Sequence, residues 1–156
     1  LEDHSKKLTR ALNLVKEIKD IDLWIIGDGP DKKKYEDYVK KNNISKRVSF
    51  LGRKSNPYPY MNEADYVVLT SDYEGFPVTY LEAIVLNKKI ITTIDVSDDA
   101  INMGKDYAFI VSKDEKKMVE EVKEILRKDK KVKSIDLNKV QNNKMLKFEE
   151  MFDEVI

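Results

Sequence analysis

Apolar residues return at three- and four-residue intervals near the start of the chain, at Leu8, Leu12, Val15 and Ile18. That period gathers them on one stripe and predicts an amphipathic helix over roughly residues 5–19. The pattern then changes to an unbroken apolar run, Leu23-Trp24-Ile25-Ile26, stopped by Gly27-Asp28-Gly29-Pro30. Both faces of such a run are apolar, as expected of a buried strand in a parallel sheet. Helical spacing resumes over 31–41, with Tyr35, Tyr38 and Val39 as the inner face. A second apolar run, Val48 to Leu51, ends at Gly52, and 57–64 reads as a short helix. Further strands follow at 66–69, 89–93 and 108–111, separated by a helix over 77–86. A charged helix covers about 115–127. Beyond a lysine-rich linker at 128–133, Met145, Phe148, Met151, Phe152 and Val155 recur at helical spacing and predict a packed tail helix.

Strands alternating with helices over short connections predict a doubly wound parallel sheet, a Rossmann-like α/β fold. In such folds ligands bind beyond the carboxyl ends of the strands. Four loops are therefore the places to look for chemistry: 27–30, 52–56, 71–76 and 94–99. No internal repeat or low-complexity stretch interrupts this plan.

At 156 residues the chain is one domain in size. Its 29 basic and 29 acidic side chains cancel, which removes any whole-surface attraction to nucleic acid or anionic lipid. There is no cysteine, which excludes disulfides, thiol catalysis and cysteine-bound zinc. His4 is the single histidine and cannot build a histidine metal site alone. No apolar run reaches bilayer length and no signal peptide is visible, so a cytoplasmic location is the expectation. The first residue is Leu1, and the expectation is a piece of a longer protein whose functional unit is larger.

The most informative segment runs from Leu69 through Asp72, Glu74, Gly75, Phe76, Pro77, Val78 and Thr79 to Glu82 and Ala83. Pro77 suits the first turn of a helix, where its missing N–H costs nothing. The helix after it is apolar nearly all round, at Val78, Tyr80, Leu81, Ala83, Ile84, Val85 and Leu86, which predicts burial. Glu82 is its only charge, and Thr79 lies three residues earlier on the same face. A helix N-terminus with a hydroxyl can receive phosphate, and the carboxylate can receive vicinal hydroxyls. That combination suits a nucleoside diphosphate. The competing reading has Glu82 capping a neighbouring loop or pairing with a structural lysine.

Glu74 and Glu82, eight positions apart around Gly-Phe-Pro, resemble the paired-glutamate signature of family 4 glycosyltransferases and their GT-B relatives. Trp24-Ile-Ile-Gly27-Asp-Gly29-Pro30, Val48-Ser-Phe-Leu-Gly52 and Tyr60-Met-Asn-Glu-Ala64-Asp65 precede it in the family's order, and Ile90-Ile-Thr-Thr follows. The resemblance covers about residues 1–128. It implies that 1–156 is the C-terminal nucleotide-sugar-binding domain, with the N-terminal acceptor domain absent.

The implied activity is retaining transfer of a sugar from a nucleoside diphosphate sugar, such as a UDP- or GDP-sugar, to an alcohol acceptor. That acceptor is expected to be a glycan or lipid-linked glycan, with neither metal nor cofactor required. The alternative is a nucleotide-sugar-binding module without transfer. The resemblance further implies that Glu82 holds the ribose and that Glu74 faces the transferred sugar. Backbone N–H groups around Gly75, Phe76, Pro77, Val78 and Thr79 would meet sugar and phosphate. Gly27 and Gly29 would border the donor, and the backbone at Leu51, Gly52 and Arg53 would meet the base. Lys6 falls near the family's phosphate lysine, with Lys7 an equally placed rival, and the companion arginine would precede Leu1. The family's glycine-rich Asn-Gly segment is replaced here by Asn102-Met-Gly104. Partners implied are the donor, the acceptor domain and, for the whole enzyme, peripheral contact with the inner face of the membrane.

Two other motifs carry nothing. Asp20-Ile-Asp22 imitates a metal-binding Asp-x-Asp but falls where the first helix enters a strand, on the edge opposite the ligand side. Gly27-Asp-Gly29 imitates a dinucleotide fingerprint, yet Lys32 stands where the third glycine is required.

Overall fold

A computed structural model describes residues 7–72, 78–94 and 108–129. In chain order the elements are α1 (Leu8–Glu17), β1 (Leu23–Ile26), α2 (Lys32–Lys41), β2 (Val48–Gly52) and α3 (Tyr58–Glu63). They continue with β3 (Tyr66–Leu69), α4 (Val78–Val85), β4 (Lys89–Thr92), β5 (Ala108–Ile110) and α5 (Glu115–Lys128). The segment expected as a tail helix lies outside the described residues.

Every strand pairing is parallel, as the alternation requires, but the described strands form two ladders. β1 pairs with β2, from Leu23 opposite Val48 to Ile26 opposite Gly52. β3 pairs with β4 and β4 with β5, Val67 lying opposite Ile90 and Ile91 opposite Phe109. The two ladders are joined by α1, whose stripe divides between them. Leu12 and Val15 pack with Ile25, Val48, Tyr35 and Val39. Leu14 and Ile18 pack with Ile91, Val111, Met118 and Val122.

The three-stranded ladder is covered on both faces, which explains its unbroken apolar runs. Ile90, Val67 and Leu69 face α3 and α4, whereas Ile91, Tyr66, Val68 and Phe109 face α1 and α5. β1 is different. Its Leu23 and Ile25 face the core, but Trp24 is 47% exposed and meets Tyr60 edge-on at 6.4 Å. The expectation of a strand buried on both faces fails there, since Trp24 lies open to solvent.

Helix ends follow local chemistry. Asn43 and Asn87 both adopt φ of 56°, the left-handed conformation that asparagine tolerates. At the first, Ile44 N–H donates to Val39 O and Asn43 N–H to Lys40 O. At the second, Lys88 N–H donates to Ala83 O and Asn87 N–H to Ile84 O. These paired bonds satisfy carbonyls that a helix end otherwise leaves open. The Asp114 side chain caps α5 by accepting from Lys117 N–H at 2.9 Å.

α1 also sets the polarity of the molecule. Its first turn lies at the carboxyl end of β3, where the Thr70 hydroxyl donates to Lys7 O. Its last turn lies at the amino end of β2, where Arg47 Nη1 donates to Ile18 O at 2.8 Å. Both ladders therefore present their carboxyl ends on one edge, and the described parts of the loops expected to carry chemistry, 27–30, 52–56, 71–72 and 94, lie there. Asp20 and Asp22 are exposed on the opposite edge, in keeping with a turn.

Candidate functional site

Gly27 and Gly52 close the edge beyond β1 and β2. Gly27 N–H donates to Gly52 O at 2.9 Å. Gly27 has φ of 128° and Gly52 of 67°, conformations that favour glycine. A Cβ at Gly52 would meet nothing within 4 Å, so backbone conformation and not crowding calls for glycine there. Gly29 N–H donates to Asp28 Oδ1 at 3.1 Å. Leu51 is partly buried, and Arg53 is exposed just beyond the strand.

Beyond β3 and β4 the edge is tied more tightly. Thr93 Oγ1 donates to Ser71 O at 2.7 Å in a fully buried setting. Thr92 Oγ1 accepts from Ile94 N–H at 3.0 Å. Outside these bonds lies a charged knot centred on Asp72. Arg10 Nη1 donates to Asp72 Oδ1 at 2.6 Å and to Thr70 O at 3.0 Å. The Lys7 ammonium stands 3.6 Å from Asp72 Oδ2, and Lys113 Nζ donates to Asp72 O at 2.8 Å. The hydrogen bond from Arg10 holds the Asp72 carboxyl below its ordinary range, opposed by partial desolvation and helped by the nearby cations.

α4 carries the remaining described site residues. Its Tyr80, Leu81, Ala83 and Ile84 are buried on Met61, Ile90 and Ile94. The expectation of a helix buried all round is corrected: Val78 is 48% and Val85 53% exposed. Thr79 is exposed and Glu82 half-buried. A face is left open, and it is the face that bears the two polar side chains. Glu82 Oε1 accepts a hydrogen bond from the Tyr58 hydroxyl at 3.0 Å. That bond raises the Tyr58 pKa, with the carboxylate's charge adding to the effect.

Of the residues singled out by sequence, Val78, Thr79 and Glu82 come together on one helix face, and Gly27, Leu51 and Gly52 border the same edge. Lys6, Glu74, Gly75, Phe76 and Pro77 lie outside the described residues, as do His4 and 95–107. Lys7 is placed at the carboxyl edge, with φ of 47° at the start of α1. Sequence reasoning gave no role to Tyr58, Arg10, Asp72 or Lys113. Their partners are 24 to 62 positions away, so no local period marks them. Among the described residues no group of three His, Cys, Asp or Glu is placed to hold a metal ion. No described helix is long and apolar enough to cross a membrane.

A family model described as glycosyl transferases group 1 matches residues 2–141. A 4-alpha-N-acetylgalactosaminyltransferase of Campylobacter jejuni, named for an N-acetylgalactosamine-N,N'-diacetylbacillosaminyl-diphospho-undecaprenol substrate, is 29% identical over 138 residues, covering 87% of this chain and 36% of that protein. The lipopolysaccharide 1,6-galactosyltransferase of Salmonella typhimurium is 40% identical over 65 residues, covering 39% of this chain and 18% of its own length. Among solved structures, the lipopolysaccharide outer core galactosyltransferase WaaB superposes with a TM-score of 0.69 at 24% identity, over 85% of this chain and 40% of that one. HepE of Anabaena, solved with UDP and glucose, gives 0.69 at 15% identity, over 83% and 37%. These likenesses establish the fold. The chain matches well under half of the length of each of these relatives.

Proposed function

Because the chain belongs to the group 1 glycosyl transferases, we propose that it is the donor-binding half of a retaining enzyme that moves a sugar from a nucleoside diphosphate to an alcohol. The observation that carries the reading is the open face of α4. Thr79 and Glu82 lie one turn apart there, beside the carboxyl ends of the strands. In this reading Glu82 receives the two ribose hydroxyls. The N–H groups at the start of α4 and the Thr79 hydroxyl meet the diphosphate. Lys6, or its neighbour Lys7, adds a positive charge, and the backbone from Leu51 to Arg53 borders the base.

The leaving group is a diphosphate, so the barrier falls as its growing charge is stabilised. Fixed dipoles and a held cation do this without reorganising at the moment of reaction. No divalent metal has a part in this scheme. Glu74 orients the transferred sugar, and the acceptor attacks on the face from which the diphosphate departs, giving retention. The acceptor is proposed to be a glycan or lipid-linked glycan held by a further domain outside these residues. The names of the relatives, which include an undecaprenol-linked and a lipopolysaccharide substrate, support that class. The whole enzyme is proposed to be cytoplasmic and to work at the inner face of a membrane.

The test is a transfer screen of the longer protein that contains this chain, run with a panel of sugar nucleotides and EDTA present. Release of nucleoside diphosphate coupled to a new glycosidic bond of unchanged anomeric configuration is the expected result. Inversion, or donor binding with no transfer to any glycan acceptor, contradicts the scheme.

A further inference from the structure

Tyr58 is 45% exposed, so it adds little to the core. Its placement is nonetheless closely defined. Asn56 Oδ1 accepts from Tyr58 N–H at 3.1 Å, and Pro57 O accepts from both Tyr60 N–H and Met61 N–H at 3.1 Å. These bonds fix the start of α3. Three residues on, Met61 is buried against Tyr80, Leu81 and Ile84, and Lys88 Nζ donates to Asn62 O. α3 is thus docked onto α4, and the docking sets the Tyr58 hydroxyl against Glu82 Oε1.

From this geometry we infer that Tyr58 is a positioning residue for the Glu82 carboxylate, holding it ready for the vicinal diol of a ribose. The inference rests on the proposed ribose-binding role of Glu82. A glutamate at a half-exposed position has three side-chain torsions to lose when it binds a ligand, and a fixed partner removes part of that loss in advance. A carboxylate can accept about four hydrogen bonds, so one from the phenol leaves room for two from the diol. The phenol is suited to the task because the carboxylate raises its pKa. It stays a donor throughout the physiological range and never competes as an anion.

The experiment is calorimetric titration of the chain with uridine, guanosine and adenosine diphosphate and with their 2′,3′-dideoxy counterparts. Wild type, Tyr58→Phe and Glu82→Gln are compared, each first shown by thermal melting to be folded. The expected result has three parts. Wild type prefers the ribose form, Glu82→Gln loses most of that preference, and Tyr58→Phe weakens the ribose form about three- to tenfold while leaving the dideoxy form unchanged. Equal weakening of both forms, or no weakening of either, overturns the role of Tyr58 while the reading of Glu82 stands. If wild type binds no nucleotide, shows no preference, or keeps it in Glu82→Gln, the ribose-binding reading itself is overturned. In the longer protein the same variant should raise KM for the donor and leave kcat nearly unchanged, a split that general destabilisation does not produce.

Discussion

Replacing Thr93 by valine removes one hydroxyl and keeps the side chain's shape. The hydroxyl donates to Ser71 O at 2.7 Å, with Thr93 3% and Ser71 2% exposed. Water cannot take its place, so the carbonyl loses a donor at a desolvation cost of about 1–3 kcal/mol. The added methyl group, buried in the same space, returns at most about 0.8 kcal/mol. The net loss lies within about 0.2–3 kcal/mol, with about 1–2 kcal/mol the central expectation, from a total that for domains of ordinary stability is about 5–15 kcal/mol. At about 2–4 °C per kcal/mol for a chain of this size, the melting temperature should fall by about 2–8 °C. Differential scanning calorimetry measures it directly, with Thr79→Val as the control. Thr79 is exposed, so its substitution should stay within about 0.5 kcal/mol of wild type. A Thr93→Val protein as stable as wild type would refute the claim that a buried bond ties the carboxyl ends of β3 and β4.

The Asp72 carboxyl is held below its ordinary value by Arg10, so its contribution to stability is present above that value and is lost as pH falls through the lowered one. Melting curves of wild type and Asp72→Asn should therefore converge below about pH 4; a constant gap down to pH 2 counts against the Arg10 contact. Tyr80 is fully buried, and its hydroxyl has no hydrogen-bond partner among the described residues. Burial pushes its pKa up to about 12. Tyr80→Phe should accordingly leave the urea midpoint unchanged or raise it, since the ring's packing is kept and an unpaired polar group is removed. A loss above about 1 kcal/mol would mean that the hydroxyl has a partner.

Much of this was legible in the chain because it rests on short-range periods. The runs at Leu23, Val48, Tyr66 and Lys89 mark strands within a residue of their ends, since a short, mainly apolar run stopped by a turn or polar loop is the local mark of a strand in a parallel sheet. The alternation of elements likewise implied parallel pairing. What the period does not carry is which ladder each strand joins. That is decided by α1, where Leu12 and Leu14 face different ladders though only two positions apart. An apolar count also overstated the burial of α4. Val78 and Val85 read as core, yet both lie on its open side, because hydrophobic residues are common on surfaces too.

The site divides along the same line. Thr79 and Glu82 share a face by helix geometry, which spacing alone reveals. Tyr58 and Arg10 reach their partners only after packing has brought distant segments together, so no motif announces them. Gly52 was legible for a different reason. A glycine ending an apolar run implies a backbone turn that other residues avoid, and its φ of 67° is of that kind.

The central claim is a nucleoside diphosphate site on the open face of α4 that works without metal. Calorimetric titration of the chain with uridine and guanosine diphosphate in EDTA tests it most directly, using wild type and Glu82→Gln. The account predicts one-site binding that survives chelation. In Glu82→Gln the affinity should fall by about 1–2 kcal/mol, or roughly five- to thirtyfold, toward the low end for a charged hydrogen bond because the carboxylate is only half-buried. Binding that vanishes in EDTA, or that is as tight in Glu82→Gln as in wild type, would contradict it.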